Sequence, residues 1–334
     1  MAIRFSTNLV SFYNTAFWGL AEEVPYPEWL AAFAHDPRRY FERMFDLTKE
    51  AGLEAVELGP NPAGWESALT AFGSAQGLAD SLAQRGLVLS SSYAHGRQLI
   101  GNAMDDPAAI PVADDAFRRH AQFLNEIGTQ FGGAATIVSG NVPRSRFGNA
   151  SPDDTATAED FTRPVERELH EQFAEHLNRL GAIVAPYGVR IAIHTDAYSM
   201  CVRREDIATV MELTDPASIF LCPDAGHITL DGGTAVDILR DNIDRIPTMH
   251  WKDCAAPLSG HVLRGDQKER HSVMLTYFRV LGSGTIDWAA WMNILKEHGW
   301  KGWATEEIDN SPDPVGELRQ GLEYFRTHLA PIYS

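Results

Sequence analysis

The chain has 334 residues, 44% hydrophobic and 22% charged, the make-up of an ordinary globular chain with a substantial core. Its 45 acidic against 28 basic residues leave a net charge of −17, which argues against a general affinity for nucleic acid or an anionic membrane. No apolar run approaches the roughly 18 residues of a membrane-spanning helix, and no basic segment followed by an apolar one opens the chain, so a cytoplasmic location is expected. Cys201, Cys222 and Cys254 are odd in number and widely spaced, which reads as free thiols and small core residues rather than a zinc ribbon.

In chain order, residues 3–10 read as a first buried strand, and 26–52 as a helix with Phe41, Phe45 and Leu47 on its apolar side. Residues 53–58 give strand two, ending in Gly-Pro-Asn-Pro, and 69–85 the next helix, closed by Gly86. Strand three spans 87–92, followed by Tyr93-Ala-His95-Gly and a helix over 108–127; strand four is 134–139. The stretch 140–160, rich in Ser, Thr, Asp, Pro and Arg, is too long and polar for a plain connection and reads first as a lid over the mouth, with a disordered insertion as the alternative. Val165, Leu169, Phe173, Leu177 and Leu180 stripe a long helix over 161–187.

Strands five, six and seven fall at 189–193, 219–222 and 246–249, with helices at 203–213 and 235–242. A second excursion, 255–283, holds Arg264, Lys268, Arg270 and His271; folded over a pocket it would offer donors to hydroxyl or carbonyl oxygens. A helix over 286–298, strand eight over 303–308 and the stripe Leu318, Leu322, Phe325, Leu329 complete the chain. This alternation predicts an α/β fold, a single (β/α)8 TIM barrel over residues 1–334, with long loops after strands four and seven above the carboxyl-end mouth. The rival, a doubly wound open sheet, lacks its Gly-x-Gly-x-x-Gly turn.

Between residues 191 and 309, polar residues burst four times at a strand end: Ile-Ala-Ile-His194-Thr-Asp196, Cys-Pro-Asp224-Ala-Gly-His227, Met-His250-Trp-Lys252-Asp253 and Thr-Glu306-Glu307-Ile-Asp309. A parallel barrel gathers such ends around one mouth, and imidazoles and carboxylates are the side chains that bind a divalent metal.

The ordered set Asp224-Ala-Gly-His227-Ile, His250-Trp-Lys-Asp253, Leu281-Gly-Ser-Gly-Thr-Ile-Asp287-Trp and Gly302-Trp-Ala-Thr-Glu-Glu307-Ile-Asp309 resembles the sugar isomerase/epimerase superfamily of xylose-isomerase-like barrels. The resemblance is clearest from residue 189 onward. It implies one divalent ion, manganese first, with cobalt, magnesium or zinc as alternatives, held by Asp224, His250 and Glu307. His194 stands where many isomerases and epimerases of the group have a glutamate. Asp196 is the substitute for His194, and Glu306 for Glu307 if the last strand faces the other way. Dehydratase-like members share the histidine but carry a glutamate after strand four, where this chain reads Val138-Ser139-Gly140-Asn141.

The implied chemistry is proton abstraction beside the carbonyl of a keto-sugar, keto-cyclitol or oxidised glycoside. His227 and Asp196 are the expected bases, Lys252 the group that holds or protonates the departing oxygen, and His95 and Arg264 the substrate-orienting groups. Trp251 and Trp303 stack on a sugar face in this reading, a core placement being the alternative. With Asp196 and Glu306 or Glu307 as the only inward carboxylates expected, a pair working on opposite faces is incomplete, so elimination ranks ahead of isomerisation or epimerisation. A non-catalytic sugar-binding subunit is the reading from another class; a multi-zinc DNA-repair endonuclease is disfavoured by the acidic charge. The expected partner is a small carbohydrate or cyclitol, and the reading allows a homo-oligomer or a partner subunit at the pocket.

Overall fold

Eight short segments rich in Val, Ile, Leu and Ala form parallel strands: β1 (Ile3–Asn8), β2 (Ala55–Leu58), β3 (Val88–Ala94), β4 (Ala135–Ser139), β5 (Val189–His194), β6 (Ile219–Cys222), β7 (Met249–Trp251) and β8 (Gly302–Glu306). The structure is a computed structural model that describes residues 2–19, 26–128, 134–144, 163–258 and 267–334, the side chains of 26–29 and 267–270 excepted. The strands lie in the order β6-β5-β4-β3-β2-β1-β8-β7. A single parallel bridge, Asp224 with His250, spans the remaining gap, and His250 N donates to Pro223 O at 3.0 Å. The sheet is therefore a nearly closed barrel with helices between its strands, the expected fold class. No helix among the described residues is long and apolar enough to cross a membrane.

Local chemistry shifts several expected boundaries. The helix expected over 26–52 is two, α1 (Tyr26–His35) and α2 (Pro37–Ala51), because Pro37 has no N–H to continue a helix and Asp36 caps the second one through Arg39 N. The one expected over 69–85 is also two, α3 (Trp65–Phe72) and α4 (Ala75–Ala83): Gly73 takes φ +73°, ending the first, and Ser74 caps the second. A further helix, α5 (Gly96–Asp105), precedes α6 (Ile110–Ile127). Strand seven begins at Met249 rather than Ile246, since Pro247 cannot donate to a ladder.

Side chains fill the barrel interior in layers. At the amino-terminal end the Arg4 guanidinium lies 4.7 Å over the Trp303 ring. One pleat higher, Ser6 Oγ meets Thr305 Oγ1 at 2.7 Å, and Val138, Ala192 and Cys222 pack together. The uppermost layer is polar. Outside the wall, Phe5, Trp251 and Phe325 pack with Trp288 and Trp291 of α7, the helix Trp288–Glu297.

His120 of α6 is part of this outer packing, stacked on Trp65 at 5.1 Å with Nε2 2.7 Å from Ser92 Oγ. Burial, aided by His95, pushes its pKa down to about 3. The folded imidazole thus stays neutral where the unfolded one takes up a proton near pH 6.5, so its contribution is complete above that pH and is lost as pH falls toward 3. At about 1.4 kcal/mol per pH unit, stability should fall by about 2 kcal/mol from this group between pH 7 and 5. Urea unfolding of His120→Gln should therefore show a loss smaller by that amount; equal pH slopes in parent and variant would refute it.

Candidate active site

Each of β5 to β8 delivers one inward group at its carboxyl end. His194 closes β5, Asp224 follows β6, His250 lies within β7 and Glu307 follows β8. The four are buried, with ligand atoms within 4.8 Å of one another. His194 Nε2 stands 3.0 Å from His250 Nδ1 and 3.4 Å from Asp224 Oδ2, while His250 Nδ1 is 2.7 Å from Glu307 Oε2.

The outer nitrogens decide what these groups offer. His194 Nδ1 lies 3.0 Å from Asp196 Oδ1, and His250 Nε2 lies 2.9 Å from Glu57 Oε1. Carboxylates accept, so each imidazole donates outward and turns its other nitrogen toward the carboxylates inside. Asp224 Oδ2, fully buried, accepts no hydrogen bond among the described residues. Two imidazole nitrogens and two carboxylates converging on one point, each imidazole fixed from behind by a carboxylate, fit a divalent cation. Without one, burial pushes both imidazoles toward neutrality, but Asp196 brings His194 up to about 9 and Glu57 holds His250 well above its usual range. The 3.0 Å between their facing nitrogens has room for one proton and not two. A cation held by these residues would take the place of that proton, so its binding would be coupled to proton release.

Lys252 stands one pleat beyond His250 on the same face. Its Nζ donates to Glu307 Oε1 at 2.6 Å, lies 2.6 Å from Asp309 Oδ2 and 3.7 Å from Asp224 Oδ2, and the residue is 1% exposed. Burial opposes the charge, yet Asp309, Glu307 and Asp224 hold the pKa well above the ordinary lysine value, so the group is an ammonium. Burial likewise disfavours the charged forms of Asp224 and Glu307, and Lys252 reverses this, holding both below the carboxylate range. Both ring nitrogens of His227 face donors, Nδ1 accepting from Ala197 N at 3.1 Å and Nε2 lying 3.3 Å from the Lys252 ammonium. Burial and Lys252 bring its pKa down to about 4.

The xylose isomerase-like TIM barrel family matches residues 45–328. The chain belongs to that family. An inosose dehydratase of Bacillus licheniformis is 30% identical over 168 residues, which cover 49% of this chain and 56% of that protein. The chain therefore spans little more than half the length of this relative. An inosose dehydratase of Geobacillus thermodenitrificans is 28% identical over 253 residues, 75% of this chain and 79% of that one. Among solved structures, an L-ribulose 3-epimerase superposes with a TM-score of 0.64 at 14% identity, over 99% of this chain and 96% of that one. A probable 3-DHS dehydratase from Bacillus anthracis does so with a TM-score of 0.64 at 10% identity, over 97% and 99%. At such identities these two structures show the shared fold alone.

On this xylose isomerase-like barrel, the mouth gathers His194, Asp196, Asp224, His227, His250, Lys252 and Glu307, all named from sequence. His95 sits half-buried at the rim, its Nε2 accepting from Asn61 N at 3.2 Å. Arg264 and most of the expected lid over 140–160 lie outside the described residues.

Four expectations need correction. Trp251 does not face the mouth: it follows His250, so it points through the wall, stacked on Trp288 at 5.3 Å. Trp303 is inside the barrel but at the far end, under Arg4. Glu306 cannot replace Glu307. It points outward at Gly321 of α8 (Pro314–Tyr324), where an added Cβ would collide with its carboxyl group, and burial holds its pKa well above the ordinary value. Asp196 stands behind His194 as its hydrogen-bond partner rather than in its place. The structure also adds an inward carboxylate that sequence reasoning missed. Glu57, fully buried in β2, accepts from Asn8 Nδ2 at 2.6 Å and from the Ser91 hydroxyl. The signal was present: a lone charge inside the apolar run Ala-Val-Glu-Leu.

Replacing Lys252 with Met strands three carboxylates in the dry pocket. Metal-free Lys252→Met should lose about 3–5 kcal/mol in denaturant unfolding, the scale of a broken buried ion pair. A loss under about 1 kcal/mol would show that these carboxylates do not depend on the ammonium.

Proposed function

We propose that this chain is a divalent-metal-dependent lyase that removes a proton beside the carbonyl of a keto-sugar, keto-cyclitol or oxidised glycoside and expels an oxygen β to that carbonyl. The observation that carries the reading is the set His194, Asp224, His250 and Glu307, with both imidazoles turned inward by Glu57 and Asp196. The inosose dehydratases among its relatives supply the reaction class.

A bound cation would supply Lewis acidity, drawing electron density from a substrate carbonyl; mixed nitrogen and oxygen donors suit manganese, cobalt or zinc better than magnesium. The chain's own groups divide the remaining work. His227, kept neutral by burial and by Lys252, is a hydrogen-bonding group for a substrate oxygen beside that ammonium. Lys252, with Glu307 and Asp309 around it, places a fixed positive charge beside the carbonyl end as charge builds there. Proton removal falls to Asp196, whose side chain is 32% exposed to the mouth while it holds His194. Asp309, paired with Lys252, is the further carboxylate that favours epimerisation as the second reading.

Purified protein should contain close to one divalent ion per chain. In deuterium oxide, the metal-loaded protein should exchange the hydrogen beside the carbonyl of a keto-sugar or inosose and release an ultraviolet-absorbing enone. Exchange without enone would move the assignment to epimerisation. Tight sugar binding without exchange under any of manganese, cobalt, magnesium or zinc would make this a binding subunit. Separately, Glu57→Gln frees His250 from its orienting carboxylate and should weaken metal binding by about 10–100-fold in a chelator competition. Unchanged affinity would mean the backbone alone positions that ring.

A further inference from the structure

β3 is irregular where it passes β2. Val56 pairs with Leu89 but Glu57 with Ser91, so Ser90 is an extra residue, its hydroxyl turned back to Val56 O at 3.0 Å. Such a bulge re-aims the residues that follow it. Ser91 donates to Glu57, and Tyr93, two residues on, packs against the interior layer of Val138, Ala192 and Cys222. The Tyr93 ring stands edge-on to His194, with centroids 6.3 Å apart at 75°, and to His95, 6.1 Å apart at 85°.

The phenol reaches across the carboxyl end of β4, over Gly140. A Cβ at Gly140 would stand 2.2 Å from the Tyr93 hydroxyl oxygen, so a glycine there is what lets the phenol lie in this place. Tyr93 is half-buried, and its hydroxyl makes no hydrogen bond with the described residues. The polar groups around it hold other partners, the buried Asn141 Oδ1 excepted. Glu57 holds Asn8, Ser91 and His250; Asp196 holds His194 and Asn141 N; the Asn141 amide donates to Ser199 and to Cys201 O. In an eight-stranded barrel β3 stands opposite β7. Tyr93 thus offers a hydrogen-bond donor from the wall opposite β7, beside His194.

We propose that Tyr93 contacts the substrate, its phenol donating a hydrogen bond to the oxygen that departs from the carbon β to the carbonyl. This rests on the elimination reading. The carbonyl end lies toward Lys252 and His227, which places the β oxygen toward the opposite wall. As the C–H bond breaks, its electron pair forms the carbon–carbon double bond and the C–O bond cleaves. The oxygen leaves with its electrons and takes up the proton removed from carbon, so the products are an enone and water, or an alcohol where the leaving group is alkoxyl. The Tyr93 O–H bond stays intact and stabilises charge on the leaving oxygen.

Two variants of the metal-loaded full chain test this. Tyr93→Phe removes the hydroxyl alone, while Gly140→Ala keeps it and pushes it out of place. Both are measured for solvent-deuterium exchange beside the carbonyl and for enone release, with metal content and melting temperature as controls. In both, enone release should fall by about 100-fold while exchange stays within about threefold of the parent, as expected for loss of one oriented donor that acts only on C–O cleavage. Unchanged enone release in Tyr93→Phe, or equal losses of exchange and release, would overturn the assignment, the second by showing a general binding or structural role. A parent chain that shows neither exchange nor enone would overturn the elimination reading itself, and this assignment with it.

Discussion

A parallel sheet becomes a barrel only when its outer strands meet, and here β6 and β7 meet through one backbone bridge, Asp224 with His250. The residues that close the wall by their main chain carry candidate ligand atoms on their side chains, so wall and pocket cannot vary independently. Each is also held from other sides. Asp224 N donates to Thr195 Oγ1 at 2.8 Å and its Oδ1 accepts from His227 N at 2.9 Å, tying the ends of β5 and β6 together. His250 reaches Glu57, three strands away around the sheet, at 2.9 Å. Groups fixed on strands at this depth are preorganised, which is what a site needs when its charges are shielded from water.

How much of this was legible in the sequence follows from the two periodicities of the fold. Alternation along a strand was readable, and it sorts the late bursts correctly: His250 and Lys252 share a face, and Glu307 opposes Glu306. Applied strictly, it would also have sent Trp251 to the outer face, where it is found in the aromatic packing against Trp288. Trp303 is a subtler case, because alternation gives the face and not the height; it lies on the inward face at the wrong end of the barrel. The role of Glu57 and the inward aim of Tyr93 were missed for different reasons. Glu57 sits in a strand of only four residues, too short to establish a phase. Tyr93 faces inward because of the bulge at Ser90, a one-residue irregularity that no pattern of hydrophobicity announces.

The two sequence signatures that drew attention first, Asp224-Ala-Gly-His227 and His250-Trp-Lys252-Asp253, are parts of one construction. Lys252 must run its stem past the start of the short helix that Asp224 caps, and a Cβ on Gly226 would stand 2.7 Å from Lys252 Cγ, so a larger residue at 226 would obstruct it. Asp253, on the opposite face, accepts from Gly282 N at 3.0 Å and Trp288 Nε1 at 2.9 Å, anchoring the returning chain behind β7. Where the stem emerges, Nζ enters a second group whose ligand atoms also lie within 4.8 Å, His227, Glu307 and Asp309. The ammonium balances Glu307 and Asp309 there, while Glu307 Oε2 stays turned toward His250. A covalently attached cation thus occupies the place among these carboxylates that a second ion would need, which favours a single-ion pocket.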